Sequence, residues 1–351
     1  MGHASSPIAD LVAPYLDRVK GGQRNLNARC PFHDDHSPSF SINVQTGAWI
    51  CGGCKLKGGL TTFFQLLGLK RHQIDNMIEP VRYLLDQQRD RDRRRFHSRF
   101  QRGDPFKGEM TLREAVLGMY DFAPLDLLSK GFDKTVLRAL DVGYDRRLDR
   151  IVYPIRDLYG NLVGVSGRSV IGEKPRYKVY RGGFLDQEGT KHAGDFGPEF
   201  DELYPGYKIN PKNYLWNAHQ VYPAIMSSAE EEPIYIVEGY KAAIWMIQNG
   251  FTNTVATMGS SMSRVQYDII ARLGGVKVLF YDNDPAGIDG MLRVGQWLSK
   301  IGPVECVVLF PWAKQPDDLN RNGLDEVVNN RVRFQKWKRE AQVEAVELEI
   351  T

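Results

Sequence analysis

The spacing of apolar and polar positions changes character along the chain. In SPSFSINVQTGAWIC, Phe40, Ile42 and Val44 alternate with polar residues, the chain turns at Thr46-Gly47, and it returns through Trp49. Period-two alternation around a turn predicts a half-buried hairpin. Between Thr111 and Leu140 two helical patterns are broken near Phe122-Ala123-Pro124 and at Gly131, and RIVYPIRDLYGNLVGVSGRSV then predicts strands joined at Tyr159-Gly160-Asn161. From Ile234 the pattern becomes short continuous apolar runs, IYIV, TVATM, VLFY and VECVVLF, separated by helical stretches. Strand and helix in strict succession predict a parallel α/β sheet.

The chain as a whole therefore reads as multidomain, α+β and α/β. The expected layout is a zinc-ribbon-like β module over 1–85, a linker over 86–110 and a mixed α/β basic subdomain over 111–230. A parallel α/β sheet follows over 231–330, with a charged helical tail over 331–351. With 351 residues there is enough chain for two or three separate cores. Net charge is only +3, so a nucleic-acid surface must come from local patches. One such patch is DQQRDRDRRRFHSRFQRGDPFKG from Asp86, a linker or charged helix. No apolar run is long enough to span a membrane, and no secretory signal opens the chain. No G-x4-GK[ST] loop is present, which removes a helicase motor.

Chemistry concentrates at three places. Cys30, His33, Cys51 and Cys54 form the pattern C-x2-H-x17-C-x2-C. Two-residue spacers let each pair reach one tetrahedral zinc, and Gly52 and Gly53 let the second pair turn tightly. His36 competes with His33 as ligand, but only His33 has the spacing of the partner pair. One structural zinc in a reducing compartment is expected. Nearby Arg29, Lys55 and Lys57, with Phe40 and Trp49, supply either phosphate contacts and stacking faces for single-stranded DNA or, for the aromatics, plain core.

The second place is the carboxyl ends of the predicted parallel strands, where Glu238, Asp282 and Asp284 fall. Clustered carboxylates stay ionised only beside a positive charge, and hard oxygen ligands suit magnesium or manganese. Asp282 and Asp284, two apart in extended backbone, point the same way, with Asn283 pointing elsewhere. The alternative is turn chemistry ahead of a helix at Asp284-Pro285. The third place is the run Arg168, Lys174, Arg176, Lys178 and Arg181 with Tyr177 and Tyr180, which suits a nucleic-acid strand or a nucleoside triphosphate, or else an exposed strand face. Cys306, inside an apolar run, is expected to be a buried apolar residue.

CPFHDDHSPSFSI followed by CGGCKLKGG resembles the zinc-binding domain of DnaG-type primases. EGY at 238–240 with YDNDPAG at 281–287 resembles the Toprim domain shared by bacterial primases and topoisomerases. RIVYPIRDLYGNLVGVSGR followed by PRY is similar to the basic segment of the primase core. The resemblance implies a DNA-dependent RNA primase acting on single-stranded DNA and ribonucleoside triphosphates. It also implies two or more catalytic magnesium or manganese ions, a replicative helicase in trans, no membrane, and a cytoplasm that is bacterial or phage-infected. Carried across by position, Arg150, Arg168, Arg176 and Lys212 bind template or nucleotide, and Asp317 joins Glu238, Asp282 and Asp284 as a metal ligand. Three departures stand out. Gln315 replaces the first acid of the family's DPD motif, Lys241 stands in the region after EGY where the family carries an acid, and residues 181–211 make a longer loop than usual. A Toprim nuclease or topoisomerase, and an inactive zinc-dependent DNA-binding protein, are the alternatives.

Overall fold

A computed structural model of the chain describes residues 6–21, 24–54, 56–82, 84, 111–227, 232–273 and 275–341. The expected basic linker, Lys55 and the last ten residues of the expected tail lie outside these. The described residues fall into two compact units, drawn from 1–109, 113–154 and 167–178 for the first and from 110–112, 155–166 and 179–351 for the second.

The first unit opens with an antiparallel sheet in sequence order. Its strands are β1 (Asp17–Gly21), β2 (Asn25–Arg29), β3 (Phe40–Asn43), β4 (Trp49–Cys51) and β5 (Lys57–Gly58). Register pairs Phe40 with both Ala28 and Cys51, which puts Leu26, Ala28, Phe40, Ile42, Trp49 and Cys51 on a buried face. Helices α1 (Pro7–Val12), α2 (Leu60–Leu66) and α3 (Arg71–Ile78) contribute Ile8, Val12, Phe63, Phe64 and Ile74 to the same core. Phe40 stacks on Trp49 with ring centroids 5.4 Å apart, Phe63 packs against both, and the Trp49 indole N–H donates to Gly59 O at 2.9 Å. These aromatics are core rather than faces for bases, because alternation placed them on the side that α2 covers. Further along the unit come the short helices α4 (Leu125–Leu128) and α5 (Lys134–Ala139), the latter capped by Asp133, whose carboxylate accepts the amide protons of Thr135 and Val136. The Gln65 amide on α2 donates to Asp141, just past α5.

A four-stranded sheet follows in the order β6 (Gly143–Asp145), β7 (Arg150–Arg156), β8 (Leu162–Ser169), β9 (Tyr177–Val179). β7 and β8 are buried along almost their whole length on both faces, which explains their continuous apolar sequence.

Residues 181–211, expected as a loop, are folded. They form a hairpin of β10 (Phe184–Leu185) and β11 (Lys191–His192) and helix α6 (Pro198–Leu203). Phe196, Tyr204 and Tyr207 are buried with Tyr180, and the Tyr207 hydroxyl donates to Val163 O at 2.6 Å. Helix α7 (Ala218–Ser227) leads on toward the second large sheet.

That sheet has the order β13-β12-β14-β15-β16, from β12 (Ile234–Val237), β13 (Thr254–Ala256), β14 (Lys277–Leu279), β15 (Val304–Cys306) and β16 (Val332–Arg333). The first four strands pair in parallel as predicted, each short and wholly or largely buried. The helices between and after them are α8 (Tyr240–Gln248), α9 (Arg264–Arg272), α10 (Pro285–Leu298) and α11 (Arg321–Asn329). β16 differs from expectation. The tail begins as a strand antiparallel to β15, so the sheet extends past residue 330, and helix resumes only over 334–341. Cys306 is fully buried. No helix among the described residues is long and apolar enough to cross a membrane.

Candidate active site and metal centres

In the first unit, Cys30 at the end of β2, His33, Cys51 at the end of β4 and Cys54 bring their ligating atoms within 4.8 Å of one another. His36 stays out, with a side chain 90% exposed beside Asp34. Gly53 is needed for closeness rather than for turning. A Cβ there would lie 2.6 Å from the Nε2 of His33, so any larger residue pushes the ring away. Asp35, which sequence reasoning passed over, organises the cluster from behind. Its Oδ2 accepts from the amide of Cys30 at 2.8 Å and from the amide and hydroxyl of Ser39 at 3.2 and 2.7 Å, and its Oδ1 lies 3.9 Å from the His33 ring. The Cys30 amide above all holds this carboxyl down at about 2. Ser39 in turn contacts the Cys51 thiol at 3.2 Å. Three thiols and one imidazole, gathered and braced in this way, fit a tetrahedral zinc.

In the second unit, the carboxyl ends of β12 and β14 carry Glu238, Asp282 and Asp284. The Glu238 Oε1 accepts the Asp282 amide proton at 3.3 Å. Asp284 is extended (φ −130°, ψ 168°) and caps α10, its Oδ1 accepting the Gly287 amide proton at 2.8 Å. The turn reading of Asp284 is what the structure shows, and the same residue adds its charge to Glu238. The Asn283 side-chain amide points away and donates to Ala313 O at 3.4 Å, while its backbone N–H donates to Lys314 O at 2.7 Å. Gly287 allows α10 to start against the acids, for a Cβ there would sit 2.1 Å from Asp282 O and 2.7 Å from Glu238 Oε1.

Burial, followed by the charges of Glu238, Asp317 and Asp284, pushes the Asp282 carboxyl up to about 7, with Lys241 working in the opposite direction. Glu238 is likewise raised, mainly by burial and then by Asp284, against the Asp282 amide and Lys212. Carboxylates that resist ionisation together are ready to take a cation.

Lys212 reaches the same place from outside the sheet. Its ammonium donates to Thr257 O and Ser261 O at 3.2 and 2.7 Å, and burial lowers its pKa while Glu238 opposes the shift. The first turn of α9 fixes this approach, since Ser263 caps that helix and donates to Lys212 O, and buried Gln266 donates to Tyr214 O and Thr257 O. The capping box S-x-x-Q at 263–266 was the available signal.

Asp317, expected as a metal ligand, sits in a 3-10 turn over Pro316–Asp318 and pairs with Lys241 Nζ at 2.6 Å. The Gln315 side chain donates to the same Oδ2 at 3.3 Å, while Oδ1 is buried with no hydrogen-bond partner. Asp318 turns back and accepts the amide protons of Lys314 and Gln315.

The three arginines belong to the first unit and are differently placed. Arg150, expected to face phosphate, is 1% exposed. It donates to Gly167 O, Pro175 O and Glu173 at 3.2, 3.0 and 2.8 Å, so it braces the loop ahead of β9 instead. An apolar strand interior decides this, because β7 is buried at Arg150 on its way into the sheet. Arg168 is largely buried and pairs with Asp126 at 3.4 Å. Arg176 alone of the three is exposed.

Comparison with known proteins is consistent with both centres. Residues 3–87 match the CHC2 zinc finger and residues 235–321 match the Toprim-like family. A DNA primase of Staphylococcus aureus is 25% identical over 94% of this chain and 59% of its own length, and one of Clostridium acetobutylicum is 24% identical over 90% and 55%. The chain thus spans less than two thirds of these relatives. The fold is that of the zinc-binding and RNA polymerase domains of the Aquifex aeolicus primase (TM-score 0.56, 20% identity, 97% of this chain and 87% of that one). It also matches a DNA primase domain from Pseudomonas aeruginosa (TM-score 0.50, 18% identity, 66% and 81%). With matches to a CHC2 zinc finger and a Toprim-like family, and with DNA primases similar along nearly its whole length, the chain resembles the DnaG-type primases.

Proposed function

We propose that the protein is a DNA-dependent RNA primase that joins ribonucleoside triphosphates on a single-stranded DNA template. The observation that carries this is the group of Glu238, Asp282 and Asp284 at the ends of adjacent parallel strands, with Asp282 raised to about 7 and Lys212 alongside. The donors fit a divalent ion, since all are carboxylate oxygens and two resist ionisation together. Magnesium or manganese held by Glu238, Asp282 and Asp284 would favour loss of the proton from a nucleotide 3′-hydroxyl and offset charge on the incoming phosphates.

The protein's own groups supply the remainder. Glu238, raised by burial and close to the Asp282 amide, is the carboxylate proposed to act as general base. Lys212, fixed by two carbonyls beside it, orients a phosphate and offsets its charge. Arg176, exposed next to Tyr177, adds a phosphate contact for a nucleic-acid strand. Arg150 acts through the loop it holds, and Arg168 through its pair with Asp126 on α4. The zinc module is the proposed template-reading part, working through its exposed polar surface rather than its buried aromatics. A replicative helicase in trans and a cytoplasmic setting belong to the same reading.

Primer synthesis tests it. The protein is incubated with mixed-sequence single-stranded DNA, labelled nucleoside triphosphates and magnesium or manganese, beside Asp282→Ala. Short RNA products that vanish in the variant are the expected result. DNA cleavage instead would transfer the site to a nuclease, and no product with any template or metal, despite bound zinc and DNA, would leave an inactive binding protein.

A further inference from the structure

Lys241 is oddly placed for an ordinary surface lysine. It lies in the first turn of α8, where a cation opposes the helix dipole, and α8 has no side-chain cap to compensate. Its side chain is only 15% exposed and the carboxylate it meets, Asp317, only 8%. The contact is rigidly built from both sides. One turn further along α8 the Trp245 indole N–H donates to Leu319 O at 2.7 Å, fixing the 3-10 turn against the helix, while Gln315 holds the same Asp317 oxygen as Lys241. Asn283, between Asp282 and Asp284, donates to Lys314 O at 2.7 Å and to Ala313 O at 3.4 Å, so the loop that carries Asp317 is fastened to the acids and the pair belongs to their group rather than to a separate surface contact.

Charge balance points the same way. Four carboxylates, Glu238, Asp282, Asp284 and Asp317, face two ammonium groups, Lys212 and Lys241. The surplus of negative charge is that of one divalent ion. With the ammonium removed, Asp317 would face Asp282 with Oδ1 unpartnered and only the Gln315 amide on Oδ2, a place open to a second ion.

We propose that the Lys241 ammonium is a built-in cation that stands in for one divalent ion, so that Asp317 is neutralised by the protein and the acid group takes a single divalent ion on Glu238, Asp282 and Asp284. This deepens the proposed active site and rests on it. A lysine cannot be diluted away or exchanged, so neutralisation at Asp317 is independent of metal concentration, whereas the remaining ion binds from solution.

The test counts manganese bound to the zinc-loaded full chain by electron paramagnetic resonance, for wild type, Lys241→Met and the double variant Lys241→Met/Asp317→Asn. Expected are one equivalent in the wild type, two in Lys241→Met, and one again in the double variant, which removes both charges and keeps volume. Two equivalents in the wild type, or one in both wild type and Lys241→Met, overturn the role of Lys241 while leaving the divalent site in place. Loss of the wild-type equivalent in the double variant overturns it too, by making Asp317 a ligand. No bound manganese in a folded wild type overturns the divalent site itself. If Lys241→Met fails to fold, Lys241→Gln, which keeps a hydrogen-bond donor toward Asp317 but no charge, takes its place with the same expected two equivalents and the same overturning result.

Discussion

The Oδ1 of Asp284 accepts the Gly287 amide proton at 2.8 Å, so one carboxylate both caps α10 and contributes charge beside Glu238. The two roles separate by substitution. Asp284→Asn keeps a capping oxygen and should unfold at nearly the wild-type temperature, whereas Asp284→Ala should cost about 1 kcal/mol. Both should weaken manganese binding by about tenfold or more, which is about 1.4 kcal/mol. Thermal melts paired with manganese titrations check this, and an Asn variant that binds like wild type would confine Asp284 to capping.

Gly287→Ala introduces a methyl 2.1 Å from Asp282 O and 2.7 Å from Glu238 Oε1. Since backbone rather than a flexible side chain is struck, α10 must shift, at an expected cost of about 1 to 3 kcal/mol in urea unfolding. The helix start carries the acids with it, so primer synthesis should fall more than stability does.

Elemental analysis should find one zinc per chain, lost in Cys51→Ser. Binding of a structural zinc stabilises small modules by about 10 to 16 kcal/mol, so a strong chelator should abolish the fold of residues 6–84. Asp35→Ala leaves all four ligands but frees the Cys30 amide and the Ser39 hydroxyl, and should weaken zinc about 10- to 100-fold in competition with a chromogenic chelator. Unchanged affinity would show that Asp35 serves the loop and not the metal.

The folded-state pKa of Asp282, about 7, lies above the ordinary 3.8. In between, the unfolded chain has already released the proton that the folded chain keeps, so the stability this group contributes is full below about pH 4 and lost as pH rises through about 7. Free of divalent ions, wild type should melt at progressively lower temperature across that window relative to Asp282→Asn, and manganese should narrow the difference. Parallel melting curves for the two proteins would contradict the shift.

Arg150 and Arg176 should behave oppositely. Arg150→Met strands the carbonyls of Gly167 and Pro175 and should cost about 1 to 3 kcal/mol, with the exposed Glu173 end adding little. Arg176→Ala should melt like wild type but bind single-stranded DNA more weakly and with a shallower salt dependence.

Local chemistry was readable from the sequence wherever it depends on near neighbours. The C-x2-H and C-x2-C pairs, the alternation through Phe40 and Ile42, the strand-then-helix order after Ile234 and the turn at Asp284-Pro285 all act within a few residues, and the structure places each as its pattern requires. Tertiary structure decided what depends on partners far along the chain. Trp49 faces core because α2 covers that side of its sheet. Arg150 is spent on carbonyls more than fifteen residues away, since its strand is buried on both faces. Residues 181–211 fold because their aromatics find Tyr180 and Val163. Lys241 and Asp317, separated by most of the Toprim-like module, meet only when α8 packs on the 3-10 turn. A charge pair at that separation leaves no periodic trace in the sequence, because electrostatic partnership is set by distance in space and by the water that folding removes.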